Sequence, residues 1–163
     1  MNLAKQKSSG YLGATKGFTR KKSEGGKLVP KKHGGVDIET KVGDPIYAMF
    51  DGTARLKTNM DNGKVIGGGY YVAVTSKVNG KTIEIWYFHM QKDTRVSGTV
   101  KVGDIIGYQG LSGNLGYAVK KGSTPVHVHI QLYENGVLKD PLSYLKAGLN
   151  ITTGQFTNES DCN

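Results

Sequence analysis

Dense punctuation is what most limits the folds open to this chain. From Val36 onward, short apolar runs alternate with turn signals, and the sequence holds 24 glycines against 4 prolines. Glycine accepts the positive φ of tight turns and weakens helix interiors. A chain broken up this often favours short strands over long helices. Candidate strands run over Val36–Thr40, Pro45–Met49, Gly52–Thr58, Tyr70–Lys77, Lys81–His89, Ile105–Gln109 and Val126–Tyr133. Asn79-Gly80 separates two of them and is a strong hairpin signal; Asn135-Gly136 marks another turn. The one helical candidate of note is Pro141–Lys146, with Asp140 as its cap. The expectation is a mainly β protein of antiparallel sheets and hairpins, closed as a sandwich or barrel.

The 163 residues suit one domain. Residues 1–9 are polar and read as a flexible N-terminus, residues 10–149 as the folded domain, and residues 150–163 as a loose polar tail. Residues 20–32 are basic and glycine-containing and read as a loop. No apolar run approaches the ~18 residues of a membrane span. The only cysteine, Cys162, excludes a disulfide scaffold and has no activating neighbour. The formal charge of +9 favours a polyanionic partner such as nucleic acid, anionic lipid or an anionic cell wall. Aromatics are not interleaved with the early lysines as they are on base-stacking platforms, so no nucleic-acid partner is expected. The segment beginning Met1-Asn2-Leu3-Ala4-Lys5 has no apolar core of a secretory signal.

One internal echo stands out. Lys41-Val42-Gly43-Asp44-Pro45-Ile46 resembles Lys101-Val102-Gly103-Asp104-Ile105-Ile106, each reading as turn then strand. It is either coincidental turn chemistry or a two-fold-like hairpin repeat.

The four histidines carry the chemistry. In Val126-His127-Val128-His129-Ile130-Gln131-Leu132, strand alternation puts Val126, Val128, Ile130 and Leu132 on one face and His127, His129 and Gln131 on the other. Two imidazoles then project side by side from an apolar anchor; the bland alternative is a solvent-facing polar strand. In His33-Gly34-Gly35-Val36-Asp37, a histidine and a carboxylate lie four apart. In a straight strand they would be about 13 Å apart at ~3.3 Å per residue. Sharing an ion requires a bend, and Gly34-Gly35 supplies the freedom for φ > 0. Alternation places His89 with Ile83, Ile85 and Tyr87 at the close of its strand, where it is either a functional group or a core-edge histidine. No serine elbow, phosphate loop or cysteine nucleophile pattern is present; Gly67-Gly68-Gly69 lacks a P-loop's lysine and reads as a flexible turn.

Taken together, His-x-x-x-Asp, Tyr-x-His and His-x-His resemble the motifs of the LytM/lysostaphin-type zinc metallopeptidases, peptidase family M23. HGGVDIETKVGDPIYAMFDGTARL is similar to the family's first motif and following hairpin, GGGYYVAVTSKVNGKTIEIWYFHM to its glycine-then-strand stretch, VKVGDIIGYQGLSGN to the segment before the last motif, and VHVHIQLYENGVLKDPLSYL to the last motif and Pro-Leu end. The likeness runs from about Gly10 to Leu145 and takes in all four histidines. The sequence departs from the pattern at Gly113–Thr124, which is longer than the family's link and carries two lysines.

The resemblance implies a barrel-sandwich hybrid-like domain with one zinc ion on His33, Asp37 and His129. Three protein ligands leave a fourth position for water. It implies catalytic roles for His127 and His89, which would orient water, move its proton and stabilise the oxyanion, and it makes Tyr87 a candidate for framing the site. The implied function is a zinc-dependent endopeptidase cutting peptide cross-links or stem peptides of bacterial peptidoglycan, as a monomer acting in the periplasm or cell wall. Without a signal segment, a phage-borne enzyme, a secretion-system effector and a trimmed piece of a longer secreted hydrolase are all compatible. The rival within the family is a non-catalytic zinc-binding scaffold or activator of a wall hydrolase.

Overall fold

The computed structural model describes residues 21–24, 27–30, 33–142 and 144. In chain order the elements are β1 (Lys21–Glu24), β2 (Lys27–Pro30), β3 (Val36–Glu39), β4 (Pro45–Tyr47), β5 (Gly52–Asp61), β6 (Lys64–Val78), β7 (Lys81–Met90), β8 (Gly98–Val100), β9 (Ile105–Tyr108), α1 (Leu115–Lys120), β10 (His127–Glu134) and β11 (Val137–Lys139). The molecule is mainly β and its strand pairs are antiparallel, as the turn pattern predicts. A seven-stranded sheet has the order β11-β10-β7-β6-β5-β8, with β3 added to β10. Three Asn-Gly pairs close its hairpins: Asn62-Gly63, Asn79-Gly80 and Asn135-Gly136 all have positive φ at both residues. That is the type I′ geometry whose twist matches the flanking strands.

The core lies on one face of this sheet. Val72 and Val74 of β6, Ile83, Ile85 and Tyr87 of β7, and Val128, Ile130 and Leu132 of β10 are buried together with Ile46 of β4 and Ile106 of β9. Alternation therefore holds along β10, and it leaves His127, His129, Gln131 and Tyr133 to the opposite face.

The internal echo is structural. β4 and β9 pair with each other as a separate two-stranded sheet. In both copies the aspartate closes its turn on the lysine amide, Lys41 N–H donating to Asp44 Oδ2 at 2.8 Å and Lys101 N–H to Asp104 Oδ2 at 2.8 Å. The glycines match too, with φ of 88° at Gly43 and 85° at Gly103.

Several local readings are corrected. Residues 21–24 and 27–30 form a hairpin rather than a continuous loop. Gly67–Gly69 is not a free turn but part of β6. Gly67 accepts from Asn114 N–H at 2.8 Å and Tyr70 N–H donates to Ser112 Oγ at 3.0 Å, while a Cβ on Gly68 would collide with the Phe88 ring. β11 completes the hairpin that the Asn135-Gly136 turn implies, whereas β8 and α1, each short and without a clear apolar period, have no counterpart among the candidate elements. Of the proposed helix 141–146, Leu142 and Tyr144 are helical and Leu142 N–H donates to Asp140 Oδ1 at 3.0 Å. Pro141 is a turn residue, and positions 143, 145 and 146, like residues 1–9 and 150–163, lie outside the described residues.

Candidate metal centre and active site

Pairing of β3 with β10 sets Asp37 directly opposite His129. Both side chains leave the sheet on the face away from the core. His33 reaches the same point through Gly34-Gly35, but not by the positive φ expected of them, since neither glycine has one. The requirement is close approach. A Cβ on Gly35 would collide with the carbonyl oxygen of Ile130 and would lie 3.1 Å from His129 Cε1.

Three donor atoms converge as a result. His33 Nε2 is 2.8 Å from His129 Nδ1, His129 Nδ1 is 2.7 Å from Asp37 Oδ1, and His33 Nε2 is 3.0 Å from Asp37 Oδ1. All three residues are buried or nearly so. A tetrahedral ion with bonds of ~2.0–2.2 Å spaces its donors about 3.3–3.6 Å apart. With separations of 2.7–3.0 Å, the three atoms need to open by about 0.3–0.9 Å to accept one. Two imidazoles and a carboxylate form a borderline-hard donor set that suits zinc. Burial alone would push the Asp37 carboxyl up, but hydrogen bonds to His129 and His33 and the nearby His127 outweigh it and hold the group far below the usual carboxylate range. Burial keeps His129 below the ordinary histidine value despite Asp37.

His127 stands beside this triad, its Nε2 3.6 Å from Asp37 Oδ1. Its Nδ1–H donates to Pro125 O at 3.0 Å, with Thr124 Oγ1 also 3.3 Å away. Its ring meets that of His89 edge-on, with centroids 5.4 Å apart.

His89 is there because alternation fails. Tyr70 pairs with Met90 and Val72 with Tyr87, so the single residue Tyr71 faces both Phe88 and His89. This is a β-bulge, a device that re-aims a side chain near sites of chemistry. His89 has φ of 65°, which swings it off the core face occupied by Ile83, Ile85 and Tyr87. Its Nδ1–H donates to Ser112 O at 2.9 Å. Burial first, and then the neighbouring His127, push its pKa down to about 3, so the ring is neutral near pH 7 and Nε2 is the nitrogen open to a reacting group. Tyr87 keeps to the alternation and so does not frame the site. It is fully buried in the core, where its Oη accepts the Met49 N–H at 3.0 Å.

Three residues were not singled out from sequence. Ser112 holds His89 by its carbonyl while its hydroxyl donates to Met90 O at 2.8 Å. Buried Gln109 ties the two histidine backbones together, its Nε2 donating to His127 O at 2.9 Å and His89 O at 3.3 Å. Gln131 Nε2 lies 3.2 Å from His129 Nε2, and the Tyr133 hydroxyl donates to Gln131 Oε1 at 3.0 Å. The strand alternation had already put Gln131 on the histidine face, the one available signal; the other two act from distant loops. The five predicted residues, His33, Asp37, His89, His127 and His129, all lie at this one place.

The family model for peptidase family M23 matches residues 31–141. The chain is 33% identical over 134 residues to the glycyl-glycine endopeptidase ALE-1 of Staphylococcus capitis, covering 77% of this chain and 33% of that protein. It is 32% identical over 131 residues to lysostaphin of Staphylococcus simulans, covering 77% of this chain and 24% of that protein. A DD-carboxypeptidase/endopeptidase, Mpg, of Neisseria meningitidis is 30% identical over 112 residues, covering 68% of this chain and 22% of that protein. The chain thus spans a third or less of these relatives' lengths. Among solved structures, the catalytic domain of lysostaphin from Staphylococcus simulans superposes with a TM-score of 0.51 at 30% identity, covering 71% of this chain and 80% of that one. LytU shares the fold, with a TM-score of 0.59 at 24% identity over 86% of this chain and 94% of that one. With its antiparallel architecture, its clustered histidines and a family match across most of its length, this chain belongs to peptidase family M23.

Proposed function

We propose that this protein is a zinc-dependent endopeptidase that hydrolyses peptide cross-links or stem peptides of bacterial peptidoglycan, acting outside the cytoplasm in the periplasm or cell wall. The observation that carries the reading is the convergence of three metal-type donors within 3.0 Å, with two further imidazoles on the same face. The residues fit one zinc ion on His33, Asp37 and His129. Bound there, zinc supplies Lewis-acid polarisation of the scissile carbonyl and acidifies water from ~15.7 toward ~7.

The remaining work falls to the chain itself. His127 and His89 each give Nδ1–H to a backbone carbonyl, so each presents Nε2 as a lone-pair acceptor. His127 Nε2 lies 3.6 Å from Asp37 Oδ1, beside the three converging donors and so near any water held there. That supports giving the proton of the attacking water to His127, which can then pass it to the leaving amine. His89, held neutral, orients the water. The formal +9 favours approach to an anionic wall, an effect that weakens as salt rises.

Release of amino groups from purified peptidoglycan tests this. The expected result is release that a chelator abolishes and added zinc restores. Zinc-loaded protein that leaves walls of every peptide chemistry intact would instead fit the scaffold or activator reading.

Gln131 makes a second prediction. When His129 binds through Nδ1, its Nε2 carries the proton and needs an acceptor, which the Gln131 amide oxygen can supply by turning over. Gln131→Leu removes that partner and is expected to weaken zinc binding about 10–100-fold, read by competition with a chelator of known affinity. Unchanged affinity would show that the contact does nothing for the ligand.

A further inference from the structure

The strands that carry His89 and His127 part at the site. The β7–β10 ladder runs from the Ile83–Glu134 pair to the Tyr87–Ile130 pair and stops there, although β7 continues to Met90 and β10 begins at His127. Continued in register, Met90 would face His127; it pairs instead with Gln109, just beyond β9. Where two strands part in the interior, the backbone carbonyls turned toward the gap need another donor. Gln109 fills that gap. It is fully buried, and its Nε2 donates to His127 O at 2.9 Å on one strand and to His89 O at 3.3 Å on the other, with Gly110 O 2.8 Å away. Three carbonyls around one nitrogen fix the orientation of the amide, since turning it over would set oxygen against oxygen.

We propose that Gln109 is the positioning residue that sets the spacing of the His89 and His127 imidazoles, one side-chain amide standing in for the missing rung of the ladder. Each carbonyl it holds belongs to a peptide unit that fixes the Cα of its own histidine. The amide therefore sets where the two side chains start, and their rings meet edge-on with centroids 5.4 Å apart. Gln109 is itself anchored by the internal echo. Its N–H donates to Asp44 O at 2.8 Å and its carbonyl accepts from Gly43 N–H at 2.8 Å. In the mirrored place Ala48 N–H donates to Asp104 O and Ala48 O accepts from Gly103 N–H, both at 2.9 Å. The two arms share their backbone bonds. The arm beside the histidines carries a side chain long enough to bridge, and the other ends at a methyl group. Gly110 N–H also donates to His89 O at 2.9 Å, so the amide joins His127 to a point already fixed on β7. The metal donors are held separately: Asp37 and His129 pair across β3 and β10, and Ile130, next along β10, pairs with both Val36 and Tyr87. The kinetic consequence rests on the endopeptidase reading above; the geometric one does not.

Gln109→Met keeps the bulk of an unbranched side chain and removes both N–H donors. In the zinc-loaded full chain it is expected to lower kcat on soluble wall peptides about 10–100-fold. KM should stay within about twofold, and zinc near one ion per chain. Rates are taken per folded, zinc-loaded molecule, so that a lower Tm alone does not move them. The nuclear Overhauser effect between the ring protons of His89 and His127 should weaken in the same variant. An unchanged kcat in an active enzyme, an unchanged ring-to-ring effect, or a loss of activity matched by an equal loss of zinc overturns the proposal. A weakened ring-to-ring effect in a protein whose wild type never cleaves wall peptides overturns the enzyme and leaves the positioning role standing. Should the variant fail to fold, the wild-type protein decides. Both side-chain amide protons of Gln109 are expected to exchange with solvent at least about a hundredfold more slowly than those of an exposed glutamine, and fast exchange overturns the proposal.

Discussion

Asp37→Ala is expected to strip zinc from the protein, whereas His89→Ala is expected to retain about one ion per chain while losing activity. Asp37 Oδ1 lies 2.7 Å from His129 Nδ1 and 3.0 Å from His33 Nε2. It supplies the negative charge that offsets a divalent ion. Its loss should cost more affinity than the ~10–100-fold typical of an outer partner of a metal ligand. His89 is not one of the three converging donors; it meets His127 and is tied to Ser112. Removing it takes away a group that orients water, an effect on the order of 10²–10⁴ in rate. Zinc per chain by elemental analysis, set beside amine release from peptidoglycan on the same preparations, separates the two roles. Equal zinc loss in both variants would contradict the division of labour.

Gly35→Ala is expected to be as damaging as the loss of a ligand, though it removes no chemical group. The added methyl would collide with the carbonyl oxygen of Ile130, which belongs to the backbone of β10 and cannot rotate aside as a side chain would. Relief requires parting β3 from β10 next to the Asp37–His129 pair. Such overpacking costs about 1–3 kcal/mol, and here it also pulls the donors apart. Gly34→Ala is the control: the nearest atom to its Cβ is the end of the Gln131 side chain at 3.0 Å, which can move. Denaturant unfolding and zinc competition should show Gly35→Ala impaired in both and Gly34→Ala close to wild type in stability. Wild-type stability and zinc affinity in Gly35→Ala would show that β3 has room the structure does not display.

Much of this centre was legible because strand alternation is local. His127 and His129 share a face with Gln131 since Val128, Ile130 and Leu132 bury the other one. The partner of that face was not legible. That Asp37 lies opposite His129 is a matter of register between strands far apart in sequence, and only the family resemblance linked them beforehand. His89 shows the opposite case, in which a local rule gives the wrong face. Alternation assigns it to the core, and a one-residue bulge with φ of 65° reverses that. Nothing in Ile85-Trp86-Tyr87-Phe88-His89-Met90 signals a bulge, because the extra residue is defined against the neighbouring strand. Ser112 and Gln109 were hidden for a related reason. They act on His89 and His127 through backbone carbonyls brought near by the fold, and such contacts leave no mark in residue type or spacing. The hairpins at Asn79-Gly80 and Asn135-Gly136 were the most legible parts, since an Asn-Gly pair carries its turn geometry within two residues.

Zinc K-edge X-ray absorption on the zinc-loaded protein reads the ligand set itself. The expected first shell is two imidazole nitrogens and two oxygens at ~2.0–2.2 Å, one oxygen falling away in Asp37→Ala and the shell staying unaltered in His89→Ala. A shell of three or four imidazoles, with His89 or His127 drawn onto the ion and no place left for water, would contradict an open catalytic centre.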